Sequence, residues 1–175
     1  PHFTRDHGAT WTACAGLPAG LRVIAAPADA ATFYAYAPAT PFEEADVAAI
    51  RREVQGLDAI SGTANASAMA VFGAQNWSTS VTGASNDFLA IRGYSLEAGR
   101  SFSETEIQSG TPVCILGQTV KTNLFGATSA VGERIRLGRV SCQVIGVLAA
   151  KGAAAMGPDQ DDLALMPLRA VQRRP

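Results

Sequence analysis

Gly117, Lys121 and Thr122, in the run ILGQTVKTNLFG at 115–126, come nearest in residue type to a phosphate-binding loop. That loop, G-x-x-x-x-G-K-[ST], places a glycine directly before its lysine, so that successive backbone N–H groups turn inward around a phosphate. Here no glycine precedes Lys121, and Gly117 stands four residues ahead of it. Lys121 would then lie a full turn into a helix, away from an anion at its N-terminus. The run predicts a strand, a turn and a helix, with Val120 and Leu124 packing inward at i, i+4. No nucleotide site follows from it.

A second group, Asp159, Asp161 and Asp162 in GPDQDD at 157–162, sets three carboxylates within four positions. A calcium loop of the EF-hand type needs D-x-[DN]-x-[DN]-G and a later glutamate, and both the glycine and the glutamate are missing. The expectation is a turn leading into a strand, with Asp side chains accepting from nearby backbone donors. Glu97 and Glu104 could form an acid–base pair only if the fold brought them together, and nothing in their spacing selects them. There is no G-x-S-x-G elbow. His2, His7 and Cys14 match no metal-ligand spacing. Cys114 and Cys142 lie in strand-like apolar runs and read as buried small hydrophobes, with a disulfide open to them if their strands are neighbours. No catalytic residue, cofactor site or metal site is selected.

Composition narrows the classes further. Of 175 residues, 47% are apolar and 17% charged, enough for a real core and against general disorder. Net charge is −1, with 12 Arg and 2 Lys, so the clustered cations that neutralise nucleic-acid phosphates are lacking. The uncharged stretch from Ala59 to Asn86 is interrupted too often by Ser, Thr, Asn and Gln to read as a span of ~20 apolar residues. No basic segment followed by an apolar one marks a signal peptide at the N-terminus, and the chain reads as soluble.

The elements that must position these residues are mixed helix and strand, an α+β (mixed α/β) class. Residues 1–40 show little periodicity beyond the strand-like LRVIAA and TFYAYA, and are expected to stand apart as a tail carrying one or two strands. Thr40, Pro41 and Glu43 then compose a capping box for a helix whose Val47, Ile50, Val54 and Leu57 form one buried stripe, stopped by Gly56. AISGTANASAMAVF and WSTSVTG flank a turn at GAQN. SNDFLAIRGY predicts a short helix capped by Ser85 or Asn86 and stopped by Gly93, and SLEAGRSFSETE a loop with a capping box from Ser103 to Glu106. TPVCILG is a buried strand, and QTVKTNLFG a helix ended by Gly126. ERIRLGRVSCQVIGVLA is a hairpin turning at LGR. DDLALMPL is another strand, and LRAVQRR opens a helix.

Several of these runs, in this order, resemble the MacB-like periplasmic core domain of ABC-transporter permeases (the MacB/FtsX-type permease family). They are Gly99-Arg100 before an aromatic, Gly117 with Leu124-Phe125-Gly126, Gly132 in VG…I, Gly146 in VIGV, and Asp161-Asp162 before Pro167 and the closing arginines. The likeness covers about 43–174, so 41–175 is expected to be the core domain.

The resemblance implies a porter-like α/β subdomain with a smaller β-rich insert, on the periplasmic side of the bacterial inner membrane. It implies no catalysis in this domain. ATP would be hydrolysed by a cytoplasmic ABC ATPase and the motion carried through transmembrane helices to envelope partners or cargo, in efflux, lipoprotein release or control of cell-wall hydrolases. A periplasmic adaptor or a second permease copy would be further partners. Trp77, a tryptophan beside polar turn residues, is expected either to anchor an interface or to close one end of a β core. Family cores continue past the PL…RR run, so the porter part is expected to be truncated here and to expose a sheet edge. The rival reading is a stand-alone envelope module that binds peptide or lipid.

Overall fold

A computed structural model describes residues 2–3, 12–13, 22–25, 33–36, 44–152 and 159–173. The chain divides into two compact units, 1–62 and 63–175. In the first, β1 (His2–Phe3) pairs antiparallel with β2 (Thr12–Ala13), and β3 (Arg22–Ala25) with β4 (Phe33–Tyr36). The strands expected in LRVIAA and TFYAYA are therefore present, as partners of one another. Helix α1 (Glu44–Glu53) follows. The expected cap at Thr40, Pro41 and Glu43 lies outside the described residues, as do His7 and Cys14 of the imagined metal group.

The stripe on α1 departs from expectation. Val47, Ile50 and Leu57 are half-buried, and Val54 is 39% exposed. Amphipathic spacing fixes which face is apolar, but a partner surface decides whether that face is buried.

The second unit is built on one seven-stranded mixed sheet. Its strands are β5 (Ala64–Phe72), β6 (Gln75–Ala84), β7 (Leu96–Gly99), β8 (Val113–Leu116), β9 (Arg134–Leu137), β10 (Val140–Leu148) and β11 (Leu163–Pro167), in the order β7-β10-β8-β11-β6-β5-β9. Because β9 also pairs with β10, six of them close a ring: β5, β6, β11, β8, β10, β9 and back to β5. Closure removes the raw edges of an open sheet. Open edge remains among the described strands of this unit at the four-residue β7 on β10, along Ala64–Ala68 of β5 and along Gln75–Thr79 of β6, each paired on one side only.

Alternation along the central strands sorts side chains between two cores, as period-2 geometry requires. From β8, Cys114 and Leu116 join one cluster, while Val113 and Ile115 join the other. β11 divides likewise into Ala164 and Met166 against Leu163 and Leu165. The first cluster is covered by Val120, Leu124 and Phe125 of α4 (Gln118–Phe125) and Ala170 of α5 (Leu168–Gln172). The second is covered by Phe88 and Leu89 of α2 (Asp87–Arg92) and Ile107 of α3 (Glu104–Ser109), with Tyr94 and Leu96. Each fully buried aliphatic side chain, such as Ile115 or Leu116, contributes about 1.5–3 kcal/mol through burial.

Turn chemistry follows the sequence closely. β5 and β6 join through Gly73-Ala74, and β9 and β10 through Gly138-Arg139, with both glycines at positive φ. Gly93 and Gly110 end α2 and α3 in the left-handed conformation. Two local expectations fail. Asn86 makes no side-chain cap on α2; its carboxamide instead donates to the Phe102 carbonyl (2.8 Å) and accepts from the Phe102 N–H (3.1 Å). The segment read as a loop from Ser95 onward contains strand β7, held in place by the second half of β10.

Candidate functional site

The family-motif residues gather at two backbone joints, one on each side of the β8–β10 pair. The first joint lies along one edge of β10, which no single strand covers. Val140–Gln143 pair with β9, and Gly146–Leu148 with β7. Between them the Val144 carbonyl accepts from Gly132 N–H (2.8 Å), Val144 N–H donates to the Glu133 carbonyl (2.8 Å), and the Ile145 carbonyl accepts from Arg100 N–H (2.9 Å). Three chain segments therefore meet at the change of partner, and the motif glycines let them do so. Gly99 sits at φ +80°, and a Cβ there would strike the Ile145 carbonyl oxygen. A Cβ on Gly146 would come within 2.8 Å of the Arg100 carbonyl oxygen. Gly132, at φ +94°, has open space around it and needs glycine for its backbone alone.

The Arg100 side chain turns outward to Glu106. Its two terminal nitrogens donate to the two carboxylate oxygens at 2.8 Å each, and one also donates to the Ser101 carbonyl (3.0 Å). Glu106 is also the third residue of α3, where it closes the expected capping box with Ser103: Ser103 N–H donates to its carboxylate (2.8 Å), and its own N–H donates to Ser103 Oγ (3.2 Å). The Arg100 hydrogen bonds are the main reason its carboxyl pKa falls from 4.5 to about 2, with the Ser103 bonds adding to them and burial opposing. A shallow, open recess lined by Gly99, Arg100, Val131, Gly132 and Gln143 marks this joint.

At the second joint, α4 begins. Gly117 N–H donates to the Leu163 carbonyl (2.8 Å), Thr119 N–H to the Asp161 carbonyl (3.2 Å), and Thr119 Oγ1 to Asp159 Oδ2 (2.6 Å). A Cβ on Gly117 would overlap the Asp161 carbonyl oxygen. The helix N-terminus that a phosphate would need is thus filled by the 159–163 segment. Lys121 points the other way, donating to the Gly126 carbonyl at the C-terminal end (2.8 Å). Gly126 ends α4 at φ 59°, ψ −123°, after the buried Leu124 and Phe125, whose ring lies 4.2 Å from that of Phe72.

The three aspartates act as backbone and indole acceptors. Asp161, 5% exposed, takes the N–H groups of Lys151 (2.9 and 3.1 Å) and Gly152 (2.8 Å) on its carboxylate. Asp159 Oδ1 accepts from Asp161 N–H (2.9 Å). Asp162 Oδ1 accepts from Trp77 Nε1 (3.0 Å), tying β6 to the start of β11. The half-buried Trp77 ring packs against the first core cluster. Sequence reasoning anticipated local capping by these aspartates but missed the partners 10 residues and 85 residues away. A tryptophan is the only signal that hinted at the longer link. Pro167, fully buried, ends β11 and opens α5.

Glu97 and Glu104 are not joined in this geometry: Glu97 accepts from the Gln118 carboxamide, and Glu104 is exposed in the first turn of α3. Cys114 and Cys142 are brought together, on neighbouring parallel strands, with both side chains buried and both thiols free.

Comparison with known proteins agrees with this architecture. A family described as the MacB-like periplasmic core domain matches residues 16–175. The chain is 40% identical over 136 residues to a macrolide export ATP-binding/permease protein MacB of Chlorobaculum tepidum, covering 77% of this chain and 21% of that protein. It is 37% identical over 130 residues to the namesake from Syntrophobacter fumaroxidans, covering 74% and 18%. It therefore spans about a fifth of the length of these curated relatives.

Among solved structures, the periplasmic region of MacB from Actinobacillus actinomycetemcomitans superposes with a TM-score of 0.65 at 17% identity, covering 78% of this chain and 60% of that one. The extracellular domain of a noncanonic ABC-type transporter, YknZ, from Gram-positive bacteria gives 0.64 at 21%, covering 76% and 66%. These two likenesses concern the fold.

Proposed function

The chain belongs to the MacB-like periplasmic core domain family and so forms an extracytoplasmic domain of an ABC-transporter permease; on that premise we propose that it is a non-catalytic transmission module. In this reading the ATP cycle of a cytoplasmic ABC ATPase reaches the domain through the transmembrane helices of the parent permease. The domain passes the movement on to envelope partners or cargo. Macrolide export, which names the relatives, is the transport class we assign first, and lipoprotein release or cell-wall hydrolase control are the other uses of the same motion.

One observation carries the proposal: the motif residues are spent on holding chain segments together rather than on a reactive constellation. Gly99, Arg100, Gly132 and Gly146 fasten two segments, 99–100 and 132–133, to one edge of β10, and Gly117, Asp161, Asp162 and Trp77 fasten the 159–163 turn to α4 and β6. A body that passes on displacement has to be stiff, and it needs surfaces that take up two arrangements against their neighbours. Such a surface would meet a periplasmic adaptor or a second permease copy. The outward part of Trp77 is our assigned anchor, its inner part being held by the core.

The test uses the parent permease reconstituted in lipid, with a fluorescent label on Met69→Cys, a position 47% exposed on β5. The label is expected to report a change that follows ATP hydrolysis. A signal that stays constant through turnover would remove the transmission reading. If the isolated chain were instead stabilised saturably by peptide or lipid, the stand-alone binding module would take its place.

A further inference from the structure

Among the described residues, Cys114 and Cys142 are a pair of thiols that the joints described above leave without a role. They lie on β8 and β10, adjacent and parallel, in a register that sets Cys114 against Val144. Both side chains enter the same core cluster and both residues are 0% exposed. Their Sγ atoms are 2.8 Å apart, and the Cys114 sulfur also lies 3.6 Å from the Gln143 carbonyl. A disulfide holds its sulfurs at about 2.05 Å, so closing this gap takes a movement of under about 1 Å. The chain works on the periplasmic side of the inner membrane, where disulfides form and persist.

We propose that Cys114 and Cys142 are a modification site, oxidised to a disulfide that joins β8 to β10 beneath α4. The oxidant is a disulfide-bearing thiol oxidant of the envelope. One protein thiolate attacks the oxidant's disulfide and releases one of its sulfurs as a thiolate, leaving a mixed disulfide. The second protein thiolate then attacks the protein-side sulfur and releases the other oxidant sulfur. Two protein thiols lose their protons and two electrons, and one oxidant disulfide becomes two thiols.

The site also fixes when this happens. In the folded protein neither sulfur is reachable, and burial pushes the Cys114 thiol above its usual range, so little thiolate is available to attack. Oxidation therefore belongs to folding, before α4 and the ring of strands cover the pair. Afterwards the bond is shielded from reductants by the same burial.

The experiment is refolding of the 175-residue chain in oxidised glutathione and, separately, in a reductant, followed by maleimide blocking in denaturant and peptide mapping. The expected result is a peptide linked through Cys114 and Cys142, with Cys14 alone blocked. The melting temperature of the oxidised sample should exceed that of the reduced one by roughly 5–15 °C, for a loop of this length. The Cys114→Ala/Cys142→Ala double variant should melt at the same temperature in both conditions, which keeps the test valid even if the reduced wild type folds poorly. Three blocked thiols after oxidative refolding, or a link from Cys14 to either partner, would overturn the proposal. Neither outcome touches the transport reading, which does not depend on the state of these sulfurs.

Discussion

At the scale of single residues, Arg100 and Glu106 show how a surface ion pair can matter through what it positions. The guanidinium is largely exposed, so solvent screens the attraction. The same carboxylate, however, caps α3 and holds the outward turn that follows Gly99. Its folded pKa of about 2 lies below the 4.5 of a free glutamate. A depressed carboxyl contributes stability that is fully present above the unfolded value and is lost as pH falls through the folded one. We therefore expect part of the acid sensitivity of this domain, between about pH 4.5 and 2, to disappear in Glu106→Gln. At neutral pH that variant should lose roughly 1 kcal/mol, the size of a helix cap. Urea titration of both proteins across this pH range measures both effects. The capping box itself was legible, because S-x-x-E is a local pattern. Arg100 as its third member was not, since nothing in the spacing of 100 and 106 distinguishes an ion pair from two solvated side chains.

At the scale of elements, the two ends of α4 differ in why they require glycine. Gly117 has an ordinary extended backbone, φ −72° and ψ 161°, so only the neighbouring Asp161 carbonyl excludes a side chain there. Gly126 has empty space around it but a backbone that other residues avoid. Alanine at either position should cost about 1–3 kcal/mol, by overlap at the first and by backbone strain at the second. Gly117→Ala must also displace the 159–163 turn, so it should speed exchange of the Thr119 amide and alter Trp77 fluorescence through Asp162. Gly126→Ala should leave both readings unchanged.

Elements whose signal is local were readable: β8, β10 and β11 as apolar runs, both hairpin turns, and the glycine stops of α2 and α4. β7 was not, because LEAG has little strand preference and becomes a strand only by pairing with β10. The face of α1 was readable too, but its burial depended on a partner surface that no window of sequence contains.

At the scale of the molecule, topology was the least legible feature. Mixed helix and strand followed from the periodicities, and the motif order pointed to the family. The ring did not follow, since β11 inserts between β6 and β8, parallel to one and antiparallel to the other. That placement has a consequence for manufacture. Of the described strands, the last in chain order is the keystone of the ring, so the strands before it cannot finish their ladders until residues 163–167 arrive. During export, β6 and β8 wait with unpaired backbone toward each other while the rest of the chain is still emerging. A chain shortened to end before Leu163 should therefore aggregate on refolding where the full chain stays soluble, and light scattering during dilution from denaturant would show it. Residues 163–167, and not the strands before them, close the hoop, so this order of assembly leaves the domain in need of protection in the envelope until they arrive.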